Sequence, residues 1–149
     1  MATTMSAWRN DQYGSASGTR QEVVPVPQPG VGEVLLRIRA TALNAADVRV
    51  MLGDPLLVRP VFGMRRPKQP IRGIDVAGLV VAVGENVDKS LIGDEVFVEL
   101  VSGGGLGEYA VARTGRLVAR PDTLAPEVAA TLPISGGSAV QALDVAGVR

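Results

Sequence analysis

The sequence predicts a mainly β domain with short helices (α+β), its strands wrapped into a barrel-like sheet. Three observations carry this. Two valine-rich runs, Val76–Val83 and Val96–Val101, flank a polar turn that holds Gly84, Asn86, Gly93 and Asp94; β-branched runs bounded by Gly and Asp read as strands. Residues 33–43, EVLLRIRATAL, alternate apolar and basic positions at Leu36, Arg37, Ile38 and Arg39, the period of a half-exposed strand. Helical spacing is confined to residues 44–53 and to the stretch after Pro121.

The bulk properties exclude several function classes. The chain has 149 residues, 46% apolar and 20% charged, enough for one hydrophobic core. Only 3% of the residues are aromatic, so that core is aliphatic. Fifteen basic residues balance fifteen acidic ones at a pI near 6.3. Such a surface favours neither nucleic acid nor an anionic membrane. No apolar run approaches the roughly 20 residues of a membrane span, and the N-terminus has no basic stretch leading into an apolar one. Cysteine and histidine are both absent. Disulfides, thiol catalysis, Cys/His metal sites and a Ser-His-Asp triad are thereby excluded. A cytoplasmic location is expected.

In chain order, residues 1–6 read as a loose extension, Trp8–Tyr13 as a short strand and GSASG (14–18) as a flexible turn. A second strand starts at Glu22 and is stopped by Pro25, Pro27 and Pro29. Within 33–43, Arg37 and Arg39 face solvent. The period then changes. Asn44 is placed to cap a helix that carries Asp47 in its first turn and ends at Gly53. Pro55, Pro60, Pro67 and Pro70 rule out a long element over 54–72. That stretch holds Arg59, Arg65, Arg66, Lys68 and Arg72 without an acid between 55 and 72, either a solvated loop or an anion contact.

VSGGGLGE (101–108) invites a phosphate-cradle reading. A dinucleotide fingerprint needs G-x-G-x-x-G opening a helix. Here the last position is Glu108, and the strand-like Tyr109–Ala112 follows, so a flexible hairpin connection is expected. Leu117–Ala119 is another short strand. Ala125-Pro126-Glu127 opens a helix that runs through VAATL to Pro133, and Ile134–Ala146 reads as a second helical piece. The layout is about seven short strands, one inserted helix and helix at the end.

PGVGEVLLRIRATALNAADVRVMLG, GIDVAGLVVAVGENV with GDEVF, GGGLGEYAVA and AATLPISGGSAVQAL, in that order over residues 22–146, resemble the GroES-like catalytic domain of medium-chain dehydrogenases/reductases. Within that superfamily the pattern is most similar to the zinc-independent quinone oxidoreductase (zeta-crystallin-like) branch. The resemblance implies a partly open GroES-like β-barrel over 1–124. Residues 125–149 would be a helical junction toward a Rossmann domain not contained in these residues. It implies hydride transfer from NADPH or NADH, held mostly by that missing domain, to a quinone, enone or carbonyl. It also implies a small-molecule substrate and a homodimer of the full-length enzyme, with no nucleic-acid or membrane partner. Zinc relatives carry Cys where Asn44 stands, His where Arg49 stands and a His-Glu pair where Ile74-Asp75 stand, so no zinc is expected.

By the same resemblance Asn44 is the catalytic and cofactor-side residue, its amide donating to a substrate carbonyl or to the cofactor carboxamide. Ser138 reaches the cofactor. Arg49, Met51, Leu52, Leu132 and Ile134 line the substrate pocket, Arg49 standing where many quinone oxidoreductases have tyrosine. Six of these have a plainer alternative: helix caps for Asn44 and Ser138, core packing for Met51, Leu52, Leu132 and Ile134. A non-catalytic GroES-like barrel acting as an interaction module is the rival for the whole chain.

Overall fold

The structure, a computed structural model, describes residues 3–148. Met1, Ala2 and Arg149, which fall in the expected extension and junction, lie outside the described residues. Two sheets make up the body. β1 (Thr4–Arg9) and β2 (Arg20–Pro25) form an antiparallel pair. The larger sheet has five strands in the order β6-β3-β4-β5-β7, antiparallel throughout. Its members are β3 (Glu33–Ala42), β4 (Asp75–Val83), β5 (Glu95–Glu99), β6 (Tyr109–Arg113) and β7 (Val118–Ala119). The sheets are open, as a partly open GroES-like barrel requires.

Strand β3 shows why the pattern folds this way. Val34, Leu35 and Leu36 are fully buried because both faces of the sheet are covered at this end. Val34 and Leu36 join Val76, Val80, Val96, Val98 and Ala110 in one core, while Leu35 joins Met5, Ala7, Val26 and Ile71 under the small sheet. Beyond Leu36 one face opens, and Arg37 and Arg39 stand in solvent as their alternation demands. Two register shifts bend the β3–β4 pair, one between Leu35 and Leu36, one between Ile38 and Ala40. At the second bend Gly78 is required, since a Cβ there would lie 2.7 Å from the Arg37 carbonyl oxygen.

Three expectations are corrected. Pairing with β2 draws residues 4–9 into β1, so the first strand begins at Thr4 rather than Trp8, and residues 10–13 lie beyond it. The helix expected from Ala125 to Pro133 is a single turn, α3 (Pro126–Ala129) in chain order, because the chain breaks step before Pro133. The 101–108 loop is packed rather than flexible: Gly104, Gly105 and Gly107 are buried, and a Cβ on Gly105 would lie 2.5 Å from Val76.

The remaining helices are α1 (Ala45–Leu52), α2 (Arg59–Phe62) and α4 (Pro133–Val145). α3 seals one end of the sheet, with Ala129 and Ala130 buried on Ala77. α4 leaves Val140, Leu143 and Val145 exposed.

Candidate functional site

Helix α1 begins as its sequence dictates. The Asn44 N–H donates to the Asp47 carboxylate at 3.0 Å, and the Asp47 N–H donates to the Asn44 main-chain oxygen at 3.0 Å. Gly53 closes the helix in the left-handed region. Asp47 is buried, and its other oxygen accepts from the Gly73 N–H at 3.0 Å. One carboxylate thus fixes the helix start and ties it to the segment leading into β4.

The Asn44 side chain also reaches across to β4. Its Nδ2 donates to Asp75 Oδ2 at 3.1 Å. The same oxygen accepts the Ile134 N–H at 3.1 Å from the first turn of α4. Asp75 is fully buried, and its Oδ1 has no partner among the described residues. Burial pushes its carboxyl above the ordinary carboxylate range, against the pull of the Ile134 N–H and the Asn44 amide. Asn44 itself is half-buried, and its amide shows one hydrogen bond, to Asp75, which leaves its second hydrogen to donate. That free donor fits a carbonyl oxygen.

The other expected site residues are scattered around this centre. Ile134 joins it through its backbone. Ser138 lies four residues further along α4, on the same face as Ile134, exposed and inside the helix rather than at its cap. Leu132 is the residue before α4. Arg49 points to solvent and pairs with Asp54 at 3.1 Å, and Leu52 is exposed. Met51 lines a separate apolar cleft of about 450 Å³, with Trp8, Leu43, Val48 and Leu106 among its walls. Three buried polar side chains also line it, Asn10, Asp47 and Arg72.

Sequence reasoning missed Asp75 as the hub, and Asn10 and Arg72 as cleft residues. The signal for Asp75 was an acid opening a fully apolar strand; the signal for Arg72 was its place at the end of a basic run, next to the same strand. The rest of that run divides. Arg59 stacks over the Tyr13 ring at 4.7 Å, Lys68 donates to the Val61 carbonyl, and Arg65 and Arg66 are exposed.

The glycine loop forms no anion cradle. The amides of Gly103, Gly104, Gly105, Leu106 and Gly107 all donate to main-chain carbonyls, of Leu100, Arg72, Gly73, Arg72 and Gly104. Among the described residues no group of three His, Cys, Asp or Glu side chains could hold a metal ion. No helix among them is long and apolar enough to cross a membrane.

Comparison with known proteins gives this geometry its kin. The family described as "Alcohol dehydrogenase GroES-like domain" matches residues 30–122. A chloroplast envelope quinone oxidoreductase homolog from Arabidopsis thaliana is 40% identical over 143 residues, 94% of this chain and 42% of its own length. A 2-methylene-furan-3-one reductase from Solanum lycopersicum is 33% identical, over 96% of this chain and 38% of its own. Among solved structures, the quinone oxidoreductase from Coxiella burnetii superposes with a TM-score of 0.87 at 26% identity, covering 98% of this chain and 46% of that one. The chain spans less than half the length of these relatives. The matched residues and the shared architecture make it a member of the alcohol dehydrogenase GroES-like domain family, on the quinone oxidoreductase-like branch of the medium-chain dehydrogenases/reductases.

Proposed function

We propose that the chain is the substrate-side domain of a zinc-free, NAD(P)H-dependent oxidoreductase that reduces a small quinone, enone or carbonyl compound. The observation that carries this reading is the Asn44 amide. Asp75 holds one of its hydrogens from beneath, and the outward edge stays free to donate to an oxygen atom. A preoriented donor aimed at an oxygen that gains negative charge is the main service such a site renders. Reduced nicotinamide supplies the hydride. Asn44 and Ser138 are the residues here that would meet it.

Residues 1–124 are read as the barrel domain and 125–149 as the junction. The docking of α3 on the sheet and the Ile134–Asp75 contact tie the two together. Packing of a cofactor domain on the exposed side of α4 would cover Val140 and Leu143. The names of the relatives support the acceptor class. A homodimer of the full-length enzyme, no nucleic-acid or membrane partner and a cytoplasmic site belong to the same reading; the absence of cysteine supports the last.

The test is an assay of the protein from its complete reading frame with NADPH and NADH against quinones, enones and simple carbonyls. Reduced-nicotinamide oxidation by at least one class is expected. Asn44→Ala should lower its kcat by about 10²-fold. No turnover with any class, or full activity in the variant, refutes the assignment.

A further inference from the structure

One oxygen atom at the start of β4 serves two elements that lie far apart in the sequence. Asp75 Oδ2 accepts from the Asn44 side-chain amide at 3.1 Å and from the Ile134 N–H, in the first turn of α4, at 3.1 Å. Asp75 is fully buried, and its Oδ1 has no hydrogen-bond partner among the described residues. The hydrogen bonds of this carboxyl group therefore converge on Oδ2. Its backbone is fixed from both sides. β4 pairs Asp75 with Ala42 of β3 and with Glu99 of β5, and the Thr41 hydroxyl donates to its main-chain oxygen at 2.9 Å. The main chain of Asn44 is secured separately, by the Asp47 carboxylate. Burying a carboxyl group costs free energy that an apolar side chain would not incur. Val76 and Ala77, which follow in the same strand, are equally buried and apolar. Asp75 differs from them by what it accepts.

We propose that Asp75 is a positioning residue of the reductase site: its Oδ2, steadied by the Ile134 N–H, holds the Asn44 amide in the direction from which the second hydrogen donates. This rests on the reductase reading and adds to it a fully buried residue that acts through Asn44. An amide free to rotate points away from the acceptor oxygen part of the time. A fixed acceptor on one of its hydrogens removes that freedom before the reaction begins. The gain is greatest in the transition state, where charge on the acceptor oxygen develops, so it enters kcat rather than KM. Asp75→Asn keeps one carbonyl oxygen for the two donors. Asp75→Val keeps a branched side chain of similar size and offers no acceptor.

Two measurements test this. The 149-residue chain has three asparagines, Asn10, Asn44 and Asn86, so isotope labelling of the asparagine side-chain nitrogen gives three amide signals, assigned by substitution. Asn86, exposed in the turn after β4, is the reference for a freely moving amide. Relaxation should show the Asn44 amide ordered in wild type and in Asp75→Asn, and as mobile as that of Asn86 in Asp75→Val. In the enzyme from the complete reading frame, Asp75→Val should lower kcat at least about tenfold, with KM for the acceptor changed by less than about threefold. Asp75→Asn should keep kcat within about threefold. In the Asn44→Ala background, Asp75→Val should move kcat by less than about twofold, because the group that Asp75 holds is already gone. A merely structural Asp75 would lower kcat by the same factor in both backgrounds, and that additivity overturns the proposal. So does an Asn44 amide that stays ordered in Asp75→Val, held by the start of α1 alone. Should Asp75→Val fail to fold, Asp75→Ala takes its place, and a wild-type Asn44 amide as mobile as that of Asn86 overturns the proposal without any variant. A wild-type enzyme with no turnover refutes the reductase reading, while the amide signals still decide whether Asp75 orders Asn44. Turnover that falls in Asn44→Ala, and falls additively with Asp75→Val, defeats the positioning role alone.

Discussion

Asp47 and Asp75 are two buried carboxylates with opposite duties. Asp47 accepts two main-chain N–H groups, from Asn44 and Gly73. Charge-assisted bonds of this kind contribute about 1.5–3 kcal/mol, and removing the acceptor leaves buried donors unmade. Asp47→Ala should therefore destabilise the chain by at least about 2 kcal/mol in urea denaturation; a loss under about 0.5 kcal/mol would contradict the assignment. For Asp75 the effect runs through protons. Its folded-state carboxyl lies above the ordinary range because of burial, so its contribution to stability is fullest below the unfolded value of about 3.9 and fades as pH rises through the folded one. In Asp75→Asn that fading is absent. The stability of wild type minus that of Asp75→Asn should fall on going from acid to neutral pH, and a rise would reverse the sign argued here. Asn44 was legible as the residue that starts α1, because Asn before a short amphipathic run with an acid three residues on is a local signal. The direction of its side chain was not. That depends on Asp75, 31 residues away, and the second donor to Asp75 is 59 residues from it.

The elements were legible where the local period decided them. β3, β4 and β6 start within a residue of the positions expected from alternation and β-branching, and α1 runs between its expected cap and its closing glycine. What failed needed tertiary partners. β1 exists because β2 pairs with it, and the glycine loop is rigid because its neighbours leave no room for side chains. Glycine composition alone reads the same in a floppy linker and a tightly packed crossing. α4 is the reverse case. Gly136 and Gly137 sit in its interior, and a Cβ on Gly137 would meet nothing within 4 Å. Glycine in an exposed helix costs about 1 kcal/mol relative to alanine. Gly137→Ala should raise the helical signal in circular dichroism and slow amide exchange in α4, without shifting the denaturation midpoint of the sheet. Unchanged exchange would mean that something already orders this helix.

The whole molecule rests on the aliphatic core between the faces of the larger sheet. Leu36 is fully buried at its centre, so Leu36→Ala should cost about 3 kcal/mol of unfolding free energy. The proposed reading assigns most of the cofactor contacts to residues outside these 149. The loop amides of 103–107 are spent on carbonyls, and the proposed reading leaves Asn44 and Ser138 to meet a nicotinamide. The 149 residues alone should show no micromolar NADPH binding by calorimetry, and a measurable heat at that level would contradict this.

The glycine loop also holds β1 from far along the chain. Trp8 N–H donates to the Leu106 carbonyl, Glu108 N–H to the Ser6 carbonyl, and Ser6 N–H to the Glu108 carboxylate. Strand β1 is thus fastened by residues about a hundred positions further along the chain. By themselves β1 and β2 form only a two-stranded ribbon, too small to be stable in water. Their apolar face, Met5 and Ala7, is covered by Leu35 and Ile71. The β1–β2 hairpin therefore rests on partners spread from Leu35 to Glu108, contacts of high sequence separation that close slowly in folding.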